Sequence, residues 1–254
     1  MRDQSRQWTA ALVVIGDEIL SGRTQDKNVA QLALWLNEQG IRLVEVRIVP
    51  DQLDHIAHTV NELRAAHDYL FTTGGIGPTH DDITVDAIAV AFGVPVIIHS
   101  RARAILEDYY RGRPGGLNES RLRMARVPDG AELIENPTSG APGVRIGNVF
   151  ILAGVPHIAA SMLDGLTGKL EGGRPVVSVT VGARAPESEV ANLLRETEQA
   201  HPGVAIGSYP FFKNGGYGAN FVIRSEDGDL ARRTGEDLSQ RLREAGYEPF
   251  AGGI

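Results

Sequence analysis

The sequence predicts an α/β protein: a three-layer sandwich around a mostly parallel sheet, followed by a small α+β domain. Three observations carry this reading. In the first ninety residues, short apolar, β-rich runs alternate with segments of helical apolar periodicity, the pattern of parallel strands joined by helices. Glu171-Gly172-Gly173-Arg174-Pro175 then interrupts the chain like a domain boundary. Beyond it the order becomes β-α-β-β-α, which suits a separate α+β layer pair. The expected domains are therefore residues 1–171 and 174–254.

The elements follow in order. Thr9 to Ile15 is a buried strand. Val29, Leu32, Ala33 and Leu36 form a helical stripe that Gly40 terminates. Ile41 to Val49 reads as strand two. Leu53, Ile56, Val60 and Leu63 mark a second helix, with Asp51 near its cap. Tyr69-Leu70-Phe71 is strand three, and Val85, Ile88, Ala89 and Phe92 mark the helix after it. The chain is then less regular, with a loop at Gly112–Gly116 and a short helix opened by Asn118 and running through Ala125. Asn136 to Gly143 is a Pro/Gly loop. Val144–Ile146 and Val149–Leu152 form a hairpin around Gly147-Asn148, and Pro156 to Leu170 is helical. In the second domain Val176–Val181, Val204–Ser208 and Ala219–Ile223 are strands. A helix starts at Pro186 with Val190, Leu193 and Leu194 inward, and Leu230 to Ala245 is the closing helix. His201 and Lys213 are isolated there and read as surface residues.

Composition narrows the function classes. A 42% hydrophobic and 22% charged chain of 254 residues can build a sizeable core. The absence of Cys excludes disulfides, thiolate metal sites and cysteine nucleophiles, and fits a reducing cytoplasm. No signal peptide and no apolar stretch of membrane-spanning length is expected. A net charge of −7 argues against non-specific nucleic-acid binding. Within this acidic chain, seven arginines lie between Arg101 and Arg126, opposed only by Glu107, Asp108 and Glu119. Most suit a solvated face; Arg121, spaced from Asn118, is singled out as an anion contact.

The segment Thr72-Thr73-Gly74-Gly75-Ile76-Gly77-Pro78-Thr79-His80-Asp81-Asp82-Ile83-Thr84 joins a strand to a helix through three glycines. Such glycines let a backbone approach a ligand closely, with N–H groups free for an anion beside a helix start. Glycines and an aspartate at a helix start also serve plain turns and caps. Ligands of open α/β sheets bind beyond the carboxyl ends of the strands. Gly16-Asp17-Glu18, Pro50-Asp51 and the glycine segment occupy three such ends, which favours a site. Carboxylates next to a phosphate imply a bridging cation, so Asp17, Glu18, Asp51, Asp81 and Asp82 are candidate ligands for Mg2+ or another divalent ion. His80 reads as a surface residue or as a donor to an oxyanion. A branched side chain at Gly75 is expected to fill ligand space and impair binding more than folding.

The thirteen-residue string resembles the Gly-Gly-x-Gly-Pro-Thr-x-Asp-Asp-x-Thr signature of the molybdenum-cofactor-biosynthesis (molybdopterin-binding) domain. It is most similar to the amino-terminal domain of the competence/damage-inducible protein A (CinA) branch. Ile15-Gly16-Asp17-Glu18-Ile19-Leu20-Ser21-Gly22, Asn118 with Arg121, Asn136-Pro137 leading to Ala141-Pro142-Gly143, and Ala153-Gly154-Val155-Pro156 agree with that branch. The resemblance covers residues 8–170 strongly and the remainder weakly. It implies that Asp51 and Asp82 are the catalytic acids. It implies a phosphate or ligand contact for Gly16, Thr73, Gly74, Gly75, Gly77, Pro78, Thr79, Asn118, Arg121, Ala141, Pro142 and Gly143. It also implies a nucleotide or pterin phosphate as ligand and a homo-oligomer, dimer or trimer.

Two departures shape the expected activity. Adenylyl-transferring relatives carry a hydroxyl residue where this chain has Ile76, so pterin adenylylation is the secondary expectation. The amidase domain of full-length CinA proteins is not expected in this chain. The primary expectation is metal-dependent hydrolysis of a nucleotide pyrophosphate of the ADP-ribose or FAD type. A non-catalytic ligand-binding module is the third.

Overall fold

The computed structural model describes residues 6–213 and 216–252. It forms two compact units, one ending at Gly173 and the other beginning at Arg174.

The first unit opens with β1 (Trp8–Ile15), a single turn α1 (Asp17–Leu20), α2 (Asn28–Glu38), β2 (Ile41–Val49), α3 (Leu53–Ala66), β3 (Tyr69–Thr73) and α4 (Thr84–Phe92). It continues through β4 (Val96–Ile98), α5 (Ser100–Tyr109), α6 (Glu119–Leu122), a 3-10 turn (Arg123–Ala125), β5 (Arg126–Pro128), β6 (Glu132–Ile134), β7 (Gly143–Ile146), β8 (Val149–Leu152) and α7 (Pro156–Asp164). Six strands make one sheet in the order β2-β1-β3-β8-β7-β6, and β4 pairs with β5 in a separate ribbon. β1 pairs in parallel with β2 and β3, and β3 with β8; β7 runs antiparallel to both of its neighbours.

Side-chain alternation along β1 builds the three layers. Ala10, Leu12 and Val14 face α2 and α7, where Leu32, Trp35, Leu36, Met162 and Leu163 complete one core. Ala11, Val13 and Ile15 face α3 and α4, meeting Ile56, Val60, Leu63, Ala87 and Ile88. Such two-sided burial is why the strands read as continuous apolar runs. Phe71 and Phe150 are fully buried on neighbouring strands, with ring centroids 4.9 Å apart. Burial of each ring stabilises by about 1.5–3 kcal/mol.

The parallel register also sets the site. β2, β1, β3 and β8 end together: the Gly16 amide donates to Val49 O at 3.2 Å, and the Gly74 amide to Leu152 O at 3.3 Å. The loops after all four strands therefore share one edge.

The second unit comprises β9 (Val177–Ala183), α8 (Glu187–Ala200), β10 (Ala205–Lys213), β11 (Gly216–Ser225), α9 (Gly228–Glu244) and β12 (Pro249–Ala251). Its antiparallel sheet has the order β10-β11-β9-β12. Val190 of α8 and Ala231, Leu238 and Leu242 of α9 close its core against Val181, Ala183, Phe221 and Ile223.

Several elements depart from expectation. The helix expected through Leu170 ends at Asp164, and turns carry Leu166 and Leu170 into the core. β10 runs on through Pro210 to Lys213; a proline is tolerated because β10 is an edge strand. His201 is not isolated: its Nδ1 lies 2.9 Å from Thr197 O and 3.8 Å from Asp237. α5 escapes periodicity because it buries only Ala102 and Leu106. β4, β5, β6 and β12 have three residues each, too few for an alternating pattern to show.

Candidate phosphate-binding site

The segment after β3 is shaped by two positive-φ glycines. Gly74 has φ +101°, and a side chain there would strike Ile15 O; Gly75 has φ +66°. The loop is tied to α4 from both sides. The Thr84 amide donates to Gly75 O at 3.1 Å, and Thr84 Oγ1 donates to Gly74 O at 2.9 Å. A Cβ at Gly75 would lie 2.1 Å from Thr84 Oγ1. The expectation that a side chain at Gly75 fills ligand space is thus corrected: it first strikes the hydroxyl that pins the loop. Among the described residues, no acceptor engages the amide N–H groups of Gly75, Ile76 or Gly77.

Asp82 does not cap α4. The residue before that helix is Ile83, without a side-chain cap. Asp82 Oδ2 instead accepts from the Thr79 amide at 2.7 Å and from Thr79 Oγ1 at 2.5 Å, closing the turn Thr79–Asp82. Its carboxylate lies over Gly77, where a Cβ would be 2.7 Å from Oδ2. Asp82 lines a cavity of about 20 Å³ with Gly75, Gly77, Arg123, Arg126 and Pro142. Of the residues expected in the site, Gly75, Gly77, Asp82 and Pro142 meet in this pocket.

Arg123 and Arg126 enter it unannounced by the sequence. Arg126 is neutralised by a half-buried ion pair with Asp86 in the first turn of α4. Arg123 Nη2 donates to the Asp82 carbonyl oxygen at 3.4 Å, while its buried Nε has no acceptor. The one sequence signal that contains them is the run of seven arginines between Arg101 and Arg126; the 3-10 turn and the start of β5 bring these two to the glycine loop.

Arg121, singled out by its spacing from Asn118 together with the family resemblance, holds its own loop together. It donates to Pro114 O at 3.1 Å and to Gly116 O, and lies 4.3 Å over the Tyr110 ring. Asn118 caps α6, accepting from the Arg121 amide at 2.9 Å. Asn136 ties the following loop, donating to Ala141 O at 2.7 Å. Gly143 is buried at the start of β7, where a Cβ would stand 3.0 Å from Ile151 O. Pro78, Thr79, His80 and Asp81 form the exposed crown of the glycine loop.

The acidic residues divide into two groups. Asp51 does not cap α3; its Oδ2 accepts from the Asp17 amide at 2.9 Å. Burial pushes the Asp51 carboxyl up, the Asp17 amide pulls it down, and the negative charges of Asp17, Glu18 and Asp81 push it up again. Glu18 lies over Gly16, where a Cβ would be 2.6 Å from its carboxylate. Among the described residues, no three His, Asp or Glu side chains converge to hold a metal ion by themselves. The five carboxylates expected as metal candidates thus form no cage among the described residues, and Asp82 lines the arginine-bearing pocket.

Two more polar groups lie buried at the same strand ends. Thr73 Oγ1 at the end of β3 has no partner. Asn28, at the start of α2, donates Nδ2 to Gly154 O at 2.8 Å and leaves Oδ1 unpartnered. Gly154 passes close to the glycine loop: a Cβ there would stand 3.1 Å from Gly74 Cα.

Residues 11–171 match the profile of a family described as a probable molybdopterin binding domain. The chain belongs to that family. Residues 175–250 match the profile of the middle domain of FAD synthase. This molybdopterin-binding-domain protein is CinA-like. It is 35% identical over 210 residues to a CinA-like protein of Desulfosudis oleivorans, covering 78% of this chain and 51% of that protein. It is 33% identical to Protein TK1472 of Thermococcus kodakarensis, covering 91% of this chain and 96% of the relative. A protein of Aeropyrum pernix is 35% identical, over 83% of this chain and 81% of its own length. A solved structure of the protein CinA from Thermoplasma acidophilum superposes with a TM-score of 0.59 at 32% identity, over 64% of this chain and 98% of that one. No helix among the described residues is long and apolar enough to cross a membrane.

Proposed function

We propose that this domain binds the pyrophosphate of a nucleotide and hydrolyses it, with a divalent cation accompanying the phosphates. The observation that carries the reading is the pocket where unspent glycine-loop amides, Arg123 and the Asp82 carboxylate face one another. Backbone donors and a guanidinium suit phosphate oxygens. A carboxylate among them suits a phosphate that arrives with its cation, since Mg2+ is commonly held by one or two carboxylates plus substrate phosphates. The cation would neutralise charge on the bridge. Water attacks one phosphorus, the P–O–P bridge breaks, and two phosphate monoesters leave with the released proton passing to solvent.

The match of residues 175–250 to the middle domain of FAD synthase supports a flavin-type dinucleotide among the substrates. Ile76 offers no hydroxyl, which disfavours pterin adenylylation. The exposed Val44, Val46 and Ile48 on edge strand β2 support a homo-oligomer. The test is a screen of ADP-ribose, FAD and related dinucleotides with Mg2+, Mn2+ or Co2+, separating products by chromatography. Metal-dependent release of the two monophosphates is expected. Binding without turnover under every metal would reduce the domain to a ligand-binding module.

A further inference from the structure

Among the described residues, one guanidinium of the pocket over the glycine loop forms no ion pair. Most arginines in the segment 101–126 are spent. Arg101, Arg103, Arg111 and Arg126 pair with Glu135, Glu107, Asp108 and Asp86. Arg113 lies 3.8 Å over the Tyr109 ring, and Arg121 clamps its loop. Arg123 makes no ion pair among the described residues. Its only acceptor is the Asp82 carbonyl oxygen, at the long distance of 3.4 Å, and its buried Nε has none. A partly buried guanidinium without a carboxylate is costly unless an anion completes it. The space beside it is lined by Gly75, Ile76 and Gly77, whose amides are also unspent.

We propose that Arg123 is a phosphate-binding residue of this site. Its planar fork would take a phosphoryl oxygen of the ligand and exchange its weak bond to the Asp82 carbonyl for a charge-assisted one. Because that carbonyl belongs to the residue whose carboxylate lines the same pocket, phosphate capture also frees Asp82 from its contact with Arg123. The inference rests on the phosphate reading given above and adds the residue that selects a phosphoryl group over the neutral half of a nucleotide.

The experiment titrates inorganic pyrophosphate, with and without Mg2+, into the intact chain and its Arg123→Gln, Arg123→Lys and Arg111→Gln variants. Calorimetry gives affinity, and arginine Nε–H NMR signals report directly on the guanidinium. Expected are a loss of affinity of about tenfold or more in Arg123→Gln, the worth of one charge-assisted hydrogen bond, and a smaller loss in Arg123→Lys. Arg111→Gln, altering an exposed pair, should bind as the parent does. In the parent, one Nε–H signal absent from Arg123→Lys should shift on titration, a readout that stands even where Arg123→Gln fails to fold. Parental binding with an unmoved Arg123 signal, or undiminished affinity in Arg123→Gln, overturns the role of Arg123 while leaving a phosphate site. Failure of the parent to bind either pyrophosphate or any dinucleotide overturns both.

Discussion

Replacing Gly75 with alanine tests whether the glycine loop is built or merely permissive. The residue sits at φ +66°, and a Cβ would stand 2.1 Å from Thr84 Oγ1. The left-handed backbone alone costs an L-residue about 1–2 kcal/mol. Displacing Thr84 Oγ1 breaks its bond to Gly74 O, worth about 1 kcal/mol. Thr84 is fully buried, so the methyl cannot escape without a local shift of about 1–3 kcal/mol. The sum, about 3–6 kcal/mol, is a large share of the 5–15 kcal/mol that about spans domain stabilities. At roughly 2–4 °C per kcal/mol for a unit of this size, Gly75→Ala should melt about 6–24 °C below the parent. Both tryptophans, Trp8 and Trp35, belong to the first unit, so fluorescence excited at 295 nm follows that unit alone. Gly93→Ala is the internal reference: Gly93 has φ +67° with nothing within 4 Å of a Cβ, so it carries only the backbone cost. Equal melting of the two variants would refute the clash with Thr84 and with it the description of how the loop is held.

Asp82→Asn keeps an acceptor for the Thr79 amide and should change stability by no more than about 1 kcal/mol. It should nonetheless cut turnover of a nucleotide pyrophosphate by about a hundredfold or more; an active Asn variant would leave Asp82 only the closure of its turn. Asp51→Asn should raise thermal stability at pH 7. The folded-state pKa of Asp51 lies above its ordinary value of 3.8, so the folded protein binds the proton more tightly and stability is lost as pH rises through that window. Melting curves of both proteins from pH 3 to 8 should converge below pH 3.8 and separate above it; a constant offset would remove the electrostatic explanation.

How much of this was legible in the sequence depends on the kind of interaction. The strands β1, β3 and β8 announce themselves because burial on both faces demands continuous apolar residues, the edge strand β2 shows only a loose alternation, and parallel pairing then brings the ends of all four to one edge. The glycines at 74 and 75 are equally legible as positions of unusual backbone, although not what a side chain there would meet. Hydrogen-bond spending was not legible. Spacing could not reveal that Arg121 satisfies carbonyls of its own loop while Arg123, two residues on, is left uncompensated. Nor could it show that Asn28, more than forty residues before the glycine loop, would be buried against Gly154.

The same limit explains the acidic residues. Asp81 and Asp82 are adjacent, and the sequence offers no reason to separate them. The turn closed by Thr79 does so. Asp81 stays on the exposed crown, where its charge adds to those of Asp17 and Glu18 in raising Asp51. Asp82 points the other way, over Gly77 and into the pocket that holds Arg123 and Arg126. One loop thus presents a repelling carboxylate to the acidic edge and another carboxylate to a basic pocket. A lone anion is favoured only on the pocket side, and a lone cation only on the acidic edge. A phosphate paired with its cation satisfies both together, which is the chemical form the proposed ligand would bring.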